Sequence, residues 1–443
     1  MFNRTNAKRF ALLAVVSVFF VGIGLGSWRL CAAEGGNDYE SIELFTDVLS
    51  MVKKSYVEEV DTKKLIYGAI NGMLASLDPH SSFMPPEMFK EMKIETKGAF
   101  GGLGIEITVK DGMLMVISPI EDTPAYRAGI KAGDHILKID DKYTKDMTVT
   151  DAVNRMRGPK GTKVTLTIMR EGFEKPKEFP LVRDVIQVKS VKYKTLDAGY
   201  GYIRIAQFQE KTDEDLVKAL KALRDDNGGN LRGLVLDLRN DPGGLLDQAV
   251  RVSEHFVEEG KLIVYTEGRE KDSKMRFTSR GATKEPHYPL VVLINGGSAS
   301  ASEIVSGALQ DHKRAVIMGT QSFGKGSVQT IIPLSDNSGL RLTTARYYTP
   351  NGRSIQAKGI TPDIVVEQKE LAKQEKKDIM HIREKDLENH FESEDGKEPS
   401  EEKIDGKVPL YRSDEQIRSD YQILRALDLL KGWEILKTVT AAN

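Results

Sequence analysis

The sequence predicts an α/β protein of several domains, and three observations carry that prediction. Strands and helices alternate from residue 190 to 366, the pattern of a layered α/β core. Residues 96–183 show short alternating strands broken by glycine turns, a compact unit of their own. Helix-spaced apolar residues flank both, over 38–95 and again towards the C-terminus. At 443 residues the chain has room for two or three domains. Its 64 basic and 65 acidic residues nearly cancel, so it lacks the positive excess of a nucleic-acid or anionic-membrane binder.

Residues 1–33 read as an export signal. Arg4, Lys8 and Arg9 precede an apolar run from Phe10 to Leu25, and small residues follow, with cleavage expected after Ala33. The run is also near the length of a short membrane helix, so an uncleaved anchor is the alternative and the one route to a membrane. A lipid on Cys31 is disfavoured by the bulky Trp28, Arg29 and Leu30 before it. Cys31 is the only cysteine, so a processed chain has no thiol, disulfide or zinc-thiolate site. The seven histidines do not cluster at ligand spacing, and neither a metal nor another cofactor is expected.

Residues 38–95 are expected to be helical. Ile42, Phe45, Val48, Leu49 and Val52 repeat at helix spacing, as do Leu65, Ala69, Ile70, Met73, Leu74 and Leu77. The loop "LDPHSSFMPP" then intervenes, and its His80, Ser81 and Ser82 read as turn formers rather than chemistry. In the unit 96–183, "GGLGIEITV" feeds a strand from a glycine turn. "DTPAYRAGIKAGDHILKIDD" supplies a short helix and a second strand, "TVTDAVNRMRG" a helix, and Val164, Leu166 and Ile168 alternate in a closing strand.

Over 184–366, "GYIRIAQF", "LRGLVLDLR", "YPLVVLI", "AVIMG" and "VQTIIPL" read as strands. "TDEDLVKALKAL", "LLDQAVRVSEHFV" and "SASASEIVSGALQDH" read as helices between them. Over 367–443 a charged, apolar-poor linker gives way to "IRSDYQILRALDLLKGWEIL", which regains helical spacing and is expected to dock on the body or on another subunit.

Three stretches raise chemical questions. "NGGSASASE" offers serines at 298, 300 and 302, and Ser300 with Glu303 also spells a capping box that needs no enzyme. "GTQSFGKGSVQT" approaches a phosphate-binding loop. However, Gly326 stands where Ser or Thr should hold Mg²⁺, and a strand follows where a helix is required. A lysine among glycines can instead serve as general base to a serine. An ordinary lysine titrates near ~10.4, so burial must lower it by about 3 pKa units, at a cost of about 4 kcal/mol. Residues 325, 327 and 329 share a strand face, which lets Gln329 orient the Lys325 amine without adding charge. On composition alone, a surface lysine in a turn is the favoured reading of Lys325. "LDLRNDPGG" runs from a strand to a glycine turn and a helix, where glycine amides can face an oxyanion or simply make the turn.

Together, "GGLGIEI", "AGIKAGDHILKID", "LDLRNDPGG", "NGGSASASE" and "GTQSFGKGSVQT" resemble, in family order, the C-terminal processing or tail-specific proteases. The resemblance spans about residues 38–366. It implies a ClpP/crotonase-like catalytic core over 184–366 and an inserted PDZ domain over 96–183, between helical terminal segments. It makes Ser300 the nucleophile, Lys325 the base and Gln329 its partner, with oxyanion donors at the amides of Gly244 and Ala301. Asp311 matches a family position and reads as structural, paired with a nearby cation.

In the PDZ unit, the amides of Gly102, Leu103, Gly104 and Ile105 are expected to take a C-terminal carboxylate. The peptide then adds as a strand beside 105–108, opposite Val153 and Met156. Arg157, at the hinge towards the core, is a candidate gating residue. The expected substrates are proteins or peptides with free apolar C-termini. The protein is expected in the periplasm or on the outer face of the inner membrane, as a homo-oligomer, with an activating adaptor as a further partner. The rival readings are a non-catalytic or latent PDZ scaffold and an acyl-CoA enzyme on a similar core.

Overall fold

The computed structural model describes residues 36–110, 112–145, 147–281, 285–368 and 414–441. The export signal expected over 1–33 and most of the linker lie outside these residues. Among the described residues no helix is long and apolar enough to cross a membrane. Contacts divide the chain into a unit ending at Leu74 and one beginning at Ala75. In the first, helix α1 (Gly36–Ser55) leaves Ile42, Phe45 and Val48 exposed on one face, and α2 (Thr62–Ala75) follows.

The second unit opens with strand β1 (Ser82–Met84) and helix α3 (Pro86–Lys97). The Asp78 carboxylate accepts the N–H groups of His80 and Ser81, each at 2.8 Å, and the Ser81 hydroxyl at 2.6 Å. His80 and Ser81 therefore build a turn. Strand β2 (Ala99–Gly102) leads into a five-stranded antiparallel path. Its members are β3 (Ile105–Lys110), β4 (Met113–Pro119), β5 (His135–Ile139), β7 (Lys163–Met169) and β8 (Lys177–Val182), with β6 (Lys142–Tyr143) paired to β5. Helices α4 (Pro124–Arg127) and α5 (Val149–Met156) complete this domain, and Thr148 with Asp151 caps α5 reciprocally. Val164, Leu166 and Ile168 all point inward, as the alternation requires. Among the described residues, strand β3 has a strand partner on one side only, so its other edge is open. Strand β9 (Asp184–Gln187) pairs with β2 on the way out.

The core is a six-stranded sheet in the order β10 (Val191–Asp197), β11 (Tyr200–Ile205), β12 (Gly233–Asp237), β15 (Leu290–Ile294), β16 (Val316–Gly319) and β19 (Ile364–Val365). All neighbours are parallel except β10 with β11. A parallel sheet needs cover on both faces, and this one has it. Helices α6 (Thr212–Asp226), α7 (Leu246–Glu254) and α8 (Ala301–Asp311) pack on one face against Leu234, Leu236 and Leu238. On the other, Ile423, Ala426 and Leu430 of α10 (Tyr421–Ala441) meet Val235, Val291, Leu293 and Met318, after the short α9 (Asp414–Ser419). The C-terminal helix thus docks on the body of its own chain.

A second, antiparallel sheet was legible in the sequence only through the strand at "VQTIIPL". It joins β1, β13 (Leu262–Glu267), β14 (Arg276–Thr278), β17 (Ser327–Pro333) and the ten-residue β18 (Gly339–Tyr348). Strand β18 carries polar, half-buried residues and reaches β1 and β13 across long separations, so no local apolar period marks it.

Candidate active site

The site grows from the C-terminal ends of β12 and β15, adjacent parallel strands that open at the same edge of the sheet. β15 leaves through a short turn and enters α8 at Ser300. There φ is 55° and ψ −111°, a left-handed backbone that a serine keeps only when its surroundings impose it.

The surroundings are hydrogen bonds from the neighbouring serines. Ser298 Oγ donates to the Leu238 carbonyl at 2.8 Å, and Ser302 Oγ to the Asp241 carbonyl at 3.0 Å. The Ala299 N–H also donates to the Asp241 carbonyl, at 3.0 Å. Ser298 and Ser302 are fully buried, while Ser300 is half-buried. The outer two hydroxyls are therefore committed to the backbone, and the middle one stands at the surface of the site.

Glu303 has a larger part than its capping position suggested. Its carboxylate is fully buried and collects four donors. Oε2 accepts the N–H of Ser300 at 2.8 Å and the N–H of Lys325 at 3.0 Å. Oε1 accepts Ser322 Oγ at 2.6 Å and the Gly324 N–H at 2.8 Å. One oxygen atom thus holds the main-chain nitrogens of Ser300 and Lys325 together. Burial pushes the Glu303 carboxyl up to about 7, against the pull of those four donors.

Lys325 is half-buried in the turn before β17, and its carbonyl accepts the Tyr347 hydroxyl. The turn leaves no room for a side chain at Gly326, where a Cβ would lie 2.6 Å from the Gln356 nitrogen. Gln329 follows on β17. Its Nε2 donates to Ser327 Oγ at 2.9 Å and to Thr343 Oγ1 at 3.4 Å, and Thr343 is in turn bonded to Asp78 at 3.1 Å.

The glycine turn after β12 lies against the serine. A Cβ on Gly243 would come within 2.8 Å of Ser300 Cβ and 2.9 Å of the Ala301 nitrogen. The two glycine amides differ. The Gly243 N–H is taken by Asp241 Oδ1 at 2.8 Å, whereas the exposed Gly244 N–H has no partner among the described residues. Asp241, which sequence reasoning passed over, is fully buried, and its Oδ2 has no partner among the described residues. Burial raises its carboxyl well above the usual range.

Farther out, Asp311 pairs with Arg353 and accepts the Asn351 N–H at 2.9 Å, a structural contact with a cation. In the β3 domain, Leu103 and Met156 lie in the hydrophobic core, 2% and 6% exposed, while Ile105 and Val153 are half-buried between β3 and α5. A Cβ on Gly104 would collide with the Thr123 side chain at 2.4 Å. Arg157 closes α5, pairs with Glu91 of α3 and stacks on the Phe100 ring at 4.7 Å. Among the described residues, no group of three His, Cys, Asp or Glu is placed to hold a metal ion.

Comparison with known proteins matches three segments to family models. These are the activating protease CtpB N-terminal domain over 30–88, the PDZ domain over 91–169 and peptidase family S41 over 199–366. A carboxy-terminal-processing protease of Bartonella bacilliformis is 51% identical over 423 residues, covering 94% of this chain and 95% of its own. The carboxy-terminal processing protease CtpB of Bacillus subtilis is 37% identical over 382 residues, covering 82% of this chain and 78% of its own. The solved photosystem II D1 C-terminal processing protease is 31% identical, with coverage of 73% and 92% and a TM-score of 0.42. The chain therefore belongs to the carboxy-terminal processing proteases, serine-type S41 peptidases that carry a PDZ domain.

Proposed function

We propose that this protease is exported, captures apolar C-terminal tails on its PDZ domain and cleaves through a Ser300–Lys325 pair. The observation that carries the reading is the single Glu303 oxygen bonded to the N–H groups of both residues. Ser300 Oγ attacks the peptide carbonyl while the Lys325 amine takes its proton, then returns it to the leaving amine. Water hydrolyses the acyl-enzyme by the same route. With the Gln329 amide nitrogen bonded to Ser327 and Thr343, its carbonyl oxygen is the atom that can accept from the lysine. The Gly244 and Ala301 amides are the oxyanion donors, and the commitment of the Gly243 N–H to Asp241 favours Gly244 over its neighbour.

Tail capture rests on the open edge of β3, where a peptide can add as a strand facing Ile105 and Val153. Arg157 gates the domain through Glu91 and Phe100. Export rests on the basic, apolar and small-residue order of residues 1–33. The exposed apolar face of α1 supports a homo-oligomer, and an adaptor that completes the active state is compatible with the same surface.

The test uses the chain from Glu34 onward and its Ser300→Ala variant on an unstructured reporter with an apolar C-terminus, free or amidated. Cleavage by the parent alone, weakened by amidation, is expected. Binding of the free tail with no cleavage by either protein would replace the enzyme reading with a latent scaffold.

A further inference from the structure

We infer that the C-terminal helix positions the oxyanion turn, through a clamp of Asp420 and Gln422 on Arg239. This rests on the reading of Gly244 as an oxyanion donor and assigns that site a support from outside the S41 match. Arg239 lies two residues past the end of β12, and its guanidinium is buried. One side of it is bound to Asp237, Nε to Oδ1 at 2.8 Å and Nη2 to Oδ2 at 2.7 Å. Its remaining nitrogen, Nη1, reaches Asp420 Oδ1 at 2.9 Å and Gln422 Oε1 at 2.6 Å.

The two clamp residues are themselves fixed. Asp420 Oδ1 accepts the Ile423 N–H at 3.0 Å, so the carboxylate that holds Arg239 also caps the first turn of α10. Gln422 Nε2 donates to the Val366 carbonyl at 2.6 Å, just past β19. The helix end, the sheet edge and the guanidinium thus form one joint.

From that joint the chain runs directly into the turn. Asn240 has φ 54° and donates its N–H to Asn295 Oδ1 at 2.8 Å, Asp241 binds the serine turn, and Gly243 and Gly244 follow. The turn is therefore held from the serine side by Asn295, Ala299 and Ser302. Phe208 holds its far end, donating its N–H to the Gly243 carbonyl at 2.9 Å and accepting the Leu245 N–H at 2.9 Å, and Arg239 ties its near end to the opposite face. A displacement of about 1 Å at a reacting centre costs about a hundredfold in rate, so loosening this side reads out in turnover.

The chain from Glu34 onward is compared with Asp420→Ala, Gln422→Leu and Ile423→Ala. Ile423→Ala trims the apolar face of the same helix and is the control for lost docking energy. Asp420→Ala and Gln422→Leu are expected to lower kcat about tenfold or more, with KM within about twofold, because the lost positioning acts on the transition state. Ile423→Ala, assayed where its melting curve shows it folded, is expected to keep kcat within about twofold. Gln422→Leu removes no charge, only the acceptor of Arg239 and the donor to Val366, so it keeps the test open if Asp420→Ala fails to fold. Unchanged kcat in folded Gln422→Leu, or an equal loss in Ile423→Ala, overturns the clamp. Ser300→Ala is run alongside. If it is inert while Gln422→Leu is fully active, the clamp alone fails, whereas activity in Ser300→Ala removes the site reading and the clamp together.

Discussion

Gly243 and Ser300 stand so close that a methyl group on the glycine would lie 2.8 Å from the serine Cβ. The same methyl would meet the Ala299 carbonyl oxygen at 2.7 Å, on a residue whose φ is already +98°. Gly243→Ala is expected to lower peptide hydrolysis by at least about a hundredfold, since it displaces the proposed oxyanion donors. Gly172→Ala is the control, with φ +88° but open space around it. Backbone strain alone there should cost about 1–2 kcal/mol in a melting experiment and leave activity intact.

The pH dependence of Glu303 has opposite signs for activity and stability. Four donors point at this carboxylate, so its ionised form holds Ser300 and Lys325 in register. Activity is expected to fall as pH drops through about 7. Stability runs the other way. The native carboxyl sits above its unfolded value of 4.5, so the native state binds more protons in that interval. The contribution is fully present below the unfolded value and is lost as pH rises through about 7. Urea unfolding of the parent and Glu303→Gln between pH 4 and pH 8 would show this as a difference in slope, because glutamine does not titrate. Glu303→Gln should also lose at least about tenfold in activity, with an NH₂ turned onto N–H donors. A parent and variant with the same pH profile would refute the assignment.

Arg157 is expected to matter for coupling more than for stability. Its pair with Glu91 is partly solvent-exposed, so Arg157→Ala should cost only about 0.5–1 kcal/mol. If the residue gates the PDZ domain, the preference for a free over an amidated tail shrinks in the variant. An unchanged rate and an unchanged preference exclude the gate.

Tail binding should depend on the half-buried surface between β3 and α5. Val153→Asp places a charge where an apolar side chain of the tail would rest, and KM for the tailed reporter is expected to rise at least about tenfold. kcat at saturation should hold. Fluorescence anisotropy of an apolar C-terminal peptide gives the same answer without turnover, and undiminished binding would move the tail site elsewhere.

Much of the architecture was legible because it is local. The alternation of Val164, Leu166 and Ile168 specifies a strand, and the strand-to-helix turns around Gly243 and Ser300 follow from residues adjacent in sequence. The sequence marks Glu303 only as a cap because its other partners, Ser322 to Lys325, arrive some twenty residues later by tertiary packing. Asp241 was missed because a buried carboxylate beside a proline and two glycines looks like any turn former. The partners of Arg239 at the C-terminal helix, Asp420 and Gln422, lie 181 and 183 residues away, beyond the reach of any periodicity. Strand β18 was hidden by its mixture of arginine, threonine and tyrosine, residues that suit a sheet open to water on one face.

The helix Tyr421–Ala441 also has a temporal meaning. It covers Val235, Val291, Leu293 and Met318, yet it follows every strand of that sheet in chain order. A chain emerging from its N-terminus can pair those strands before the cover exists, with an apolar face still open to water. On the clamp inferred above, the oxyanion turn gains its hold from Asp420 and Gln422 only once this last helix has docked.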